Sequence, residues 1–408
     1  MEVLRGSVRT YAWGSRTHLA ELLGDPVPSP HPQAELWLGA HRDEPSQLTG
    51  EHARSLADAL RDDPTGTLGP SRRARWSDRL PYLLKVLAAE EPLSLQAHPS
   101  AEQAAAGYAR EEAAGVPRTA ADRNYPDPLP KPELLCALTE FHALAGFREP
   151  AETVRLLRAL DVRGLEHHTE LLAAQPDADG LRALFTTWIT LPQRAVDELV
   201  PALLDGCVAH AREHGEFTTE ARTLLDLGER YPGDAGVLAA LLLNRVVLTP
   251  GQCLYQPAGS PHSYLAGAGV ELMANSDNVL RCGLTPKHVD VPELLRVLDF
   301  APGAPTLLSG EGTGPVTRFA PSEFFSLARC AFDGAEEEAD LGIEGPRIVV
   351  TVEGTVHLRS SRGQDQELPR GTAAWVPACD GPVTVAPVGG PALAFAAADG
   401  LGDRPADG

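Results

Sequence analysis

Leu248-Thr249-Pro250-Gly251-Gln252-Cys253-Leu254-Tyr255-Gln256-Pro257 is a short apolar run set between a Pro-Gly turn and a closing proline, the pattern of a strand between turns. Its position decides the architecture. Immediately before it, from about Ala151 to Arg245, apolar residues recur at helical spacing, as in Thr153-Val154-Arg155-Leu156-Leu157-Arg158-Ala159-Leu160 and from Ala195 to Leu204. A strand-and-turn pattern therefore returns after a helical interruption, and the helical stretch reads as an insert. Upstream, the first 150 residues scatter short apolar runs among prolines and glycines, including Ala34 to Gly39 and Leu80 to Leu87, which suits strands and turns better than long helices. Downstream, Phe324 to Ala398 repeats the style, and Ile348 to Gly354 reads as the opening of a hairpin.

The expected fold is thus mainly β with an α-helical insert, in two β domains plus one helical domain. Residues 1–150 together with 246–320 form the first β domain, 151–245 the helical insert, and 321–399 the second β domain. The polar, Gly/Pro-rich stretch 400–408 reads as a disordered tail. At 408 residues the chain has room for two to four domains of roughly 100–200 residues each.

Composition narrows the partners. Hydrophobic residues make up 43% and charged residues 22%, the balance of a globular protein that can bury a core. A formal net charge of −21, with no basic run longer than Arg72-Arg73, disfavours nucleic acid. It does not exclude a small phosphorylated ligand, because a few converging Lys and Arg outweigh a screened global field. Six cysteines, Cys136, Cys207, Cys253, Cys282, Cys330 and Cys379, lie far apart without a CxxC pair and read as reduced thiols. Neither a signal-peptide pattern at Met1–Arg5 nor a run of 18 apolar residues is present, so a cytoplasmic protein that does not engage membranes is expected. No motif encodes an oligomeric state, and a monomer is expected. No GxGxxG or P-loop follows a strand, so no nucleotide cofactor is indicated.

Chemistry concentrates in three segments. Pro92-Leu93-Ser94-Leu95-Gln96-Ala97-His98-Pro99 reads as a strand whose period of two puts Ser94, Gln96 and His98 on one face. Lys131-Pro132-Glu133 supplies a carboxylate beside a rigid proline, and Pro257-Ala258-Gly259-Ser260-Pro261-His262 ends a strand with a second histidine. Gln96, His98, Glu133 and His262 together offer two nitrogen and two oxygen ligands, a set that suits a catalytic zinc. By contrast, His167-His168 and the His210/His214 pair lie in the helical insert without acidic companions and read as surface histidines. His142 and His288 lie near the motifs as candidate orienting groups.

Asn275-Ser276-Asp277-Asn278-Val279-Leu280-Arg281-Cys282-Gly283-Leu284-Thr285-Pro286-Lys287 closely resembles the long signature of the type I phosphomannose isomerases. Tyr11 to Gly14, Ala34 to Gly39, Leu80 to Leu87, Ser94 to Pro99, Lys131 to Glu133 and Leu144 to Arg148 have counterparts in that family, so the resemblance runs from Met1 to about Phe300. The last hundred residues match only in style. The resemblance implies cupin jelly-roll barrels, one Zn2+ per chain on Gln96, His98, Glu133 and His262, and interconversion of the sugar phosphates mannose 6-phosphate and fructose 6-phosphate. It implies catalytic roles for Arg281, Glu271 and Lys131, and substrate binding by Trp13, Lys85, Ser94 and Lys287. One departure stands out: family members commonly carry Asn-His or a similar pair directly before KPE, where this chain has Leu129-Pro130. The proton-transfer group stays open among Glu271, a lysine and zinc-bound water. Two other readings remain, a metal oxygenase using two histidines and a carboxylate, and a sugar-phosphate-binding cupin without catalysis.

Overall fold

The computed structural model describes residues 1–50, 53–312, 314–334 and 338–402, so most of the expected tail lies outside the described residues. Mainly β architecture is observed, with three sheets and a block of consecutive helices. An 11-stranded sheet carries Glu35–Leu38, Tyr82–Ala89, Leu95–Ala97, Glu133–Ala137, Phe141–Phe147, Cys253–Gln256, His262–Ala274 and Leu280–Gly283. The 13-residue strand His262–Ala274 is its hub, pairing antiparallel with Tyr82–Ala89, Glu133–Ala137 and Phe141–Phe147, and through His262 with Gln96. That one strand faces so many partners because it bends: its register shifts between Tyr264 and Ala266, and Gly267 takes a φ of 116° where a Cβ would lie 2.6 Å from the Glu140 carbonyl oxygen.

All eight residues of Tyr82–Ala89 are buried, so both faces of this strand meet protein. Leu84, Val86 and Ala88 join Leu134, Cys136, Val270 and Leu272 in packing against Leu327, Ile348, Val350, Trp375 and Phe395 of an 8-stranded sheet. On the opposite face, Leu87 and Ala89 join Leu135, Leu254 and Tyr264 in a separate interior cluster. By the same alternation Lys85, Glu133 and Glu271 lie on that interior face, each flanked in sequence by residues committed to the other side. Strand period thus aims the charged groups inward. The far face of the 8-stranded sheet packs Val349, Ala374, Ala394 and Ala396 against Val356, Leu358, Val383 and Val385 of a 4-stranded sheet.

Helices run from Pro150–Leu160 to Gly236–Ala240 without an intervening strand. The strands that flank this run, Phe141–Phe147 and Leu243–Leu248, pair with each other, with Phe147 opposite Leu243, so the chain leaves and re-enters the sheet at neighbouring points. A buried cluster including Leu156, Leu184, Trp188, Leu203 and Leu227 holds the helices together and continues onto Leu95, Leu280 and Cys282 of the sheet.

Three expectations are corrected. The first 150 residues contain helices, notably Ala101–Ala113, whose alanine and glutamate content favours a helix. Ser100 and Gln103 close its start with a reciprocal capping box. Ile348 to Gly354 does not open a hairpin: Arg347–Glu353 pairs with Ala373–Val376 and Ala392–Ala398, whereas Thr355–Ser360 belongs to the 4-stranded sheet. Gly354, at φ 65°, turns the chain from one sheet into the other. Finally, Glu2–Arg5, grouped by sequence with the first β domain, hydrogen-bonds to Ala373–Val376 near the C-terminus.

Candidate metal centre and active site

His98, Glu133 and His262 converge in the interior, at 1%, 2% and 0% exposure, with ligand atoms all within 4.8 Å of one another. His98 Nε2 lies 3.2 Å from Glu133 Oε1, and His262 Nε2 lies 3.3 Å from Glu133 Oε2. The other ring nitrogens are committed elsewhere: His98 Nδ1 meets the Asn278 carbonyl oxygen at 2.8 Å and His262 Nδ1 meets the Ser260 carbonyl oxygen at 3.1 Å. A carbonyl can only accept, so each Nδ1 carries a proton, and in the neutral ring Nε2 then presents a lone pair. Neutral rings would thus face the carboxylate with lone pairs, and among the described residues neither His98 Nε2 nor Glu133 Oε2 has a hydrogen-bond partner. Such an arrangement is repulsive alone and suits a cation. Gln96 completes the set, its amide 3.5 Å from His262 Nε2, and rotating that amide by a half turn presents Oε1 instead. The four residues fit a zinc ion.

Electrostatics agree with the geometry. Burial pushes the His98 imidazole down to about 4, with the Lys131 ammonium adding to the effect, so the ring is neutral at pH 7. Burial alone would raise the Glu133 carboxyl, but the Lys131 ammonium, 3.1 Å away, is the largest opposing influence, and the pKa is held well below the usual carboxylate range.

Beside this centre lies a second buried network. Lys85 and Glu271 are directly opposite each other in register, and Lys85 Nζ lies 3.0 Å from Glu271 and 3.2 Å from Glu35. Trp37 Nε1 donates to the other Glu35 oxygen at 2.8 Å. Burial raises the Glu271 carboxyl despite the neighbouring ammonium, and it raises the Tyr264 hydroxyl still further. Among the described residues the buried Tyr264 hydroxyl has no hydrogen-bond partner at full bonding geometry, and Glu271 is the carboxylate beside it. Three carboxylates, Glu35, Glu133 and Glu271, thus stand against two ammonium groups, Lys85 and Lys131, and the surplus negative charge is a further reason to expect a bound cation.

Arg281 is in register with Gln96 on the adjoining strand, and among the described residues its guanidinium makes no hydrogen bond or ion pair. Burial lowers its pKa, and burial together with the nearby Arg281 charge lowers that of Lys287. A cation without a partner among the described residues, on the strand beside the metal-type centre, suits an anionic ligand. Ser94 is half-buried at the entry to the Gln96 strand. Trp13 is half-buried, stacks on Tyr11 with ring centroids 5.7 Å apart, and packs against the interior cluster that contains Tyr264. Of the candidate catalytic, substrate-binding and metal-ligating residues, all except Trp13, Ser94 and Lys287 are thereby tied to the buried centre or the strand beside it.

Sequence reasoning missed Glu35, Tyr264 and Asn278. Asn278 orients His98 through its carbonyl while its side-chain amide donates to the carbonyls of Asp127 at 2.8 Å and Leu129 at 2.7 Å, which holds the segment before Lys131 in place. His142 turns away, facing Glu140 and Arg245, and does not orient the ligands.

Fold and site together define a mainly β enzyme with a buried His/His/Glu centre of metal-binding type. The family profile described as phosphomannose isomerase type I, catalytic domain, matches residues 1–150. The mannose-6-phosphate isomerase of Escherichia coli K12 is 39% identical over 392 residues, covering 94% of this chain and 97% of the relative. The human mannose-6-phosphate isomerase is 32% identical over 377 residues, 86% of each chain. A crystal structure of mannose 6-phosphate isomerase from Salmonella typhimurium, bound to fructose 6-phosphate and zinc, superposes with a TM-score of 0.87 at 37% identity, covering 98% of this chain and 100% of that one. The chain belongs to the type I phosphomannose isomerase family. Similarity over 94% of the chain also corrects the expectation that it fades after Phe300.

Proposed function

We propose that this chain is a zinc-dependent aldose–ketose isomerase that interconverts D-mannose 6-phosphate and D-fructose 6-phosphate through an enediol(ate), with one zinc held by Gln96, His98, Glu133 and His262. The observation that carries the reading is the buried convergence of His98 Nε2 and His262 Nε2 on Glu133, with both Nδ1 atoms committed to backbone carbonyls. Relatives named for this activity, and a neighbour described as bound to fructose 6-phosphate and zinc, support the substrate. The same reading takes the β units to be cupin jelly rolls with the domain limits given above, save that Glu2–Arg5 pairs with the second β domain, and the protein to be a cytoplasmic monomer.

Isomerisation moves a proton between C2 and C1 while the carbonyl changes place. When bound, zinc supplies Lewis acidity toward the sugar oxygens. Glu271, its affinity for protons raised by burial and its position fixed by Lys85, takes the proton from one carbon and returns it to the other. Arg281 lies where negative charge develops on the enediolate oxygen and stabilises it without needing to reorganise. Lys131 holds Glu133 ionised. Lys287, Ser94 and Lys85 are the groups for phosphate and hydroxyls, with Trp13 as an apolar wall. Ring opening, which Leu129-Pro130 leaves without a local histidine, falls to another group or to water.

A coupled assay for fructose 6-phosphate formed from mannose 6-phosphate tests the reading. Steady formation supports it, whereas zinc-loaded protein that binds the sugar phosphate without turnover leaves a binding protein, the alternative that the Leu129-Pro130 departure keeps open. Following solvent-proton exchange at C2 then tests the base: Glu271→Gln should abolish exchange, and near-normal exchange removes Glu271 from that role.

A further inference from the structure

The turn from Pro257 to Pro261 touches two of the metal-site residues directly, His98 and His262. Gly259 N donates to the His98 carbonyl oxygen at 2.8 Å. The Ser260 carbonyl accepts from His262 Nδ1 at 3.1 Å and so fixes which ring nitrogen presents its lone pair inward. The Ser260 hydroxyl in turn donates to Gln256 Oε1 at 3.1 Å. Gln256 stands directly opposite Glu133 in the antiparallel pairing of Cys253–Gln256 with Glu133–Ala137. Cross-strand partners project from the same face, and the neighbouring pair Leu135 and Leu254 lies in the interior cluster, so Gln256 faces the interior beside Glu133.

Gln256 is only 2% exposed, and its Nε2 has no hydrogen-bond partner. Burying an amide with one end unsatisfied is costly, and a leucine would fill this apolar interior more cheaply. Its bond to Ser260 gives the glutamine a purpose. It ties the strand that carries Glu133 to the turn that orients His262.

We infer that Gln256 is a positioning residue for the metal centre, acting through Ser260 to lock the His262 ring against Glu133. The inference rests on the zinc reading above. Its test is a double-mutant cycle on the full chain, with Gln256→Leu, Ser260→Ala and the pair together. The readout is zinc affinity and the rate of zinc loss to a chelator, measured without substrate. Loss of an interaction that orients a metal ligand typically costs roughly 10–100-fold in affinity. Each single variant is expected to lose affinity on that scale, and the double variant to be no weaker than the weaker single one. Gln256→Glu, which keeps the acceptor for Ser260, is expected to recover most of the loss.

Affinities within about twofold of the parent in both single variants, or losses that multiply in the double variant, overturn the inference. Ser260→Ala, a small change at a half-buried turn, keeps the test valid if Gln256→Leu does not fold. A parent protein that binds no zinc would instead overturn the zinc reading itself, and that outcome is seen before any variant is made.

Discussion

At the scale of single residues, protonation state does most of the work. His98 and His262 are held as lone-pair donors by backbone carbonyls, so the chain's own hydrogen bonds have set the ligands before any ion arrives. Arg281 is the complementary case, a cation left without a partner beside Gln96. Replacing it with alanine should lower turnover by roughly 10²-fold or more, the scale of losing one electrostatic stabiliser, while zinc content by metal analysis stays unchanged. Normal turnover would take Arg281 out of the mechanism. The candidate set Gln96, His98, Glu133 and His262 was legible in the sequence through strand period, proline-fixed turns and above all the family resemblance, and the structure brings His98, Glu133 and His262 together. Glu35 and Tyr264 were not: each is one polar residue in an apolar run, and its meaning depends on which strand lies alongside, as with Lys85 reaching Glu35 across a strand pair 50 residues apart in sequence.

Elements add constraints that no short window of sequence carries. Arg347–Glu353 has the alternation of a hairpin arm, yet its two faces belong to two different cores, and Gly354 diverts the chain to the second sheet. A Cβ at this position would come within 2.2 Å of the Pro391 carbonyl oxygen. Gly354→Ala should therefore destabilise the fold by at least about 1–3 kcal/mol, the cost of forcing a side chain into left-handed backbone, as read by denaturant titration. Equal stability would show that the corner relaxes.

The helix Val291–Val297 gives a pH prediction. Burial would raise the Glu293 carboxyl, but hydrogen bonds from Tyr125 and Arg110, both at 2.7 Å, and from Arg296 outweigh it and leave the pKa lowered. A carboxyl lowered in the folded state contributes stability above its unfolded pKa, near 4.3, and loses it as pH falls through the folded value. The thermal midpoint of Glu293→Gln should fall below that of the parent at pH 7, and the gap should narrow as pH falls below the unfolded pKa and through the lowered folded one. A gap independent of pH would mean the loss is one of shape, not charge.

Across the whole molecule, the helical run is a long excursion whose ends lie side by side, which is why it can interrupt the chain without interrupting the sheet. Its apolar cluster extends to Leu280 and Cys282, the neighbours of Arg281, so the insert backs the strand that presents that cation. Such an insert was legible from its change of period. The pairing of Glu2–Arg5 with Ala373–Val376 was not, because contacts between residues some 370 positions apart leave no local trace. No helix among the described residues is long and apolar enough to cross a membrane.

Metal dependence is the most direct test of the account. Turnover of mannose 6-phosphate would be measured on the protein as isolated, after chelation verified by metal analysis, and after zinc is returned, alongside Glu133→Gln. The account predicts activity lost with the metal and restored with one zinc per chain, and a variant that neither retains zinc nor turns over. Undiminished turnover after verified metal removal would contradict it.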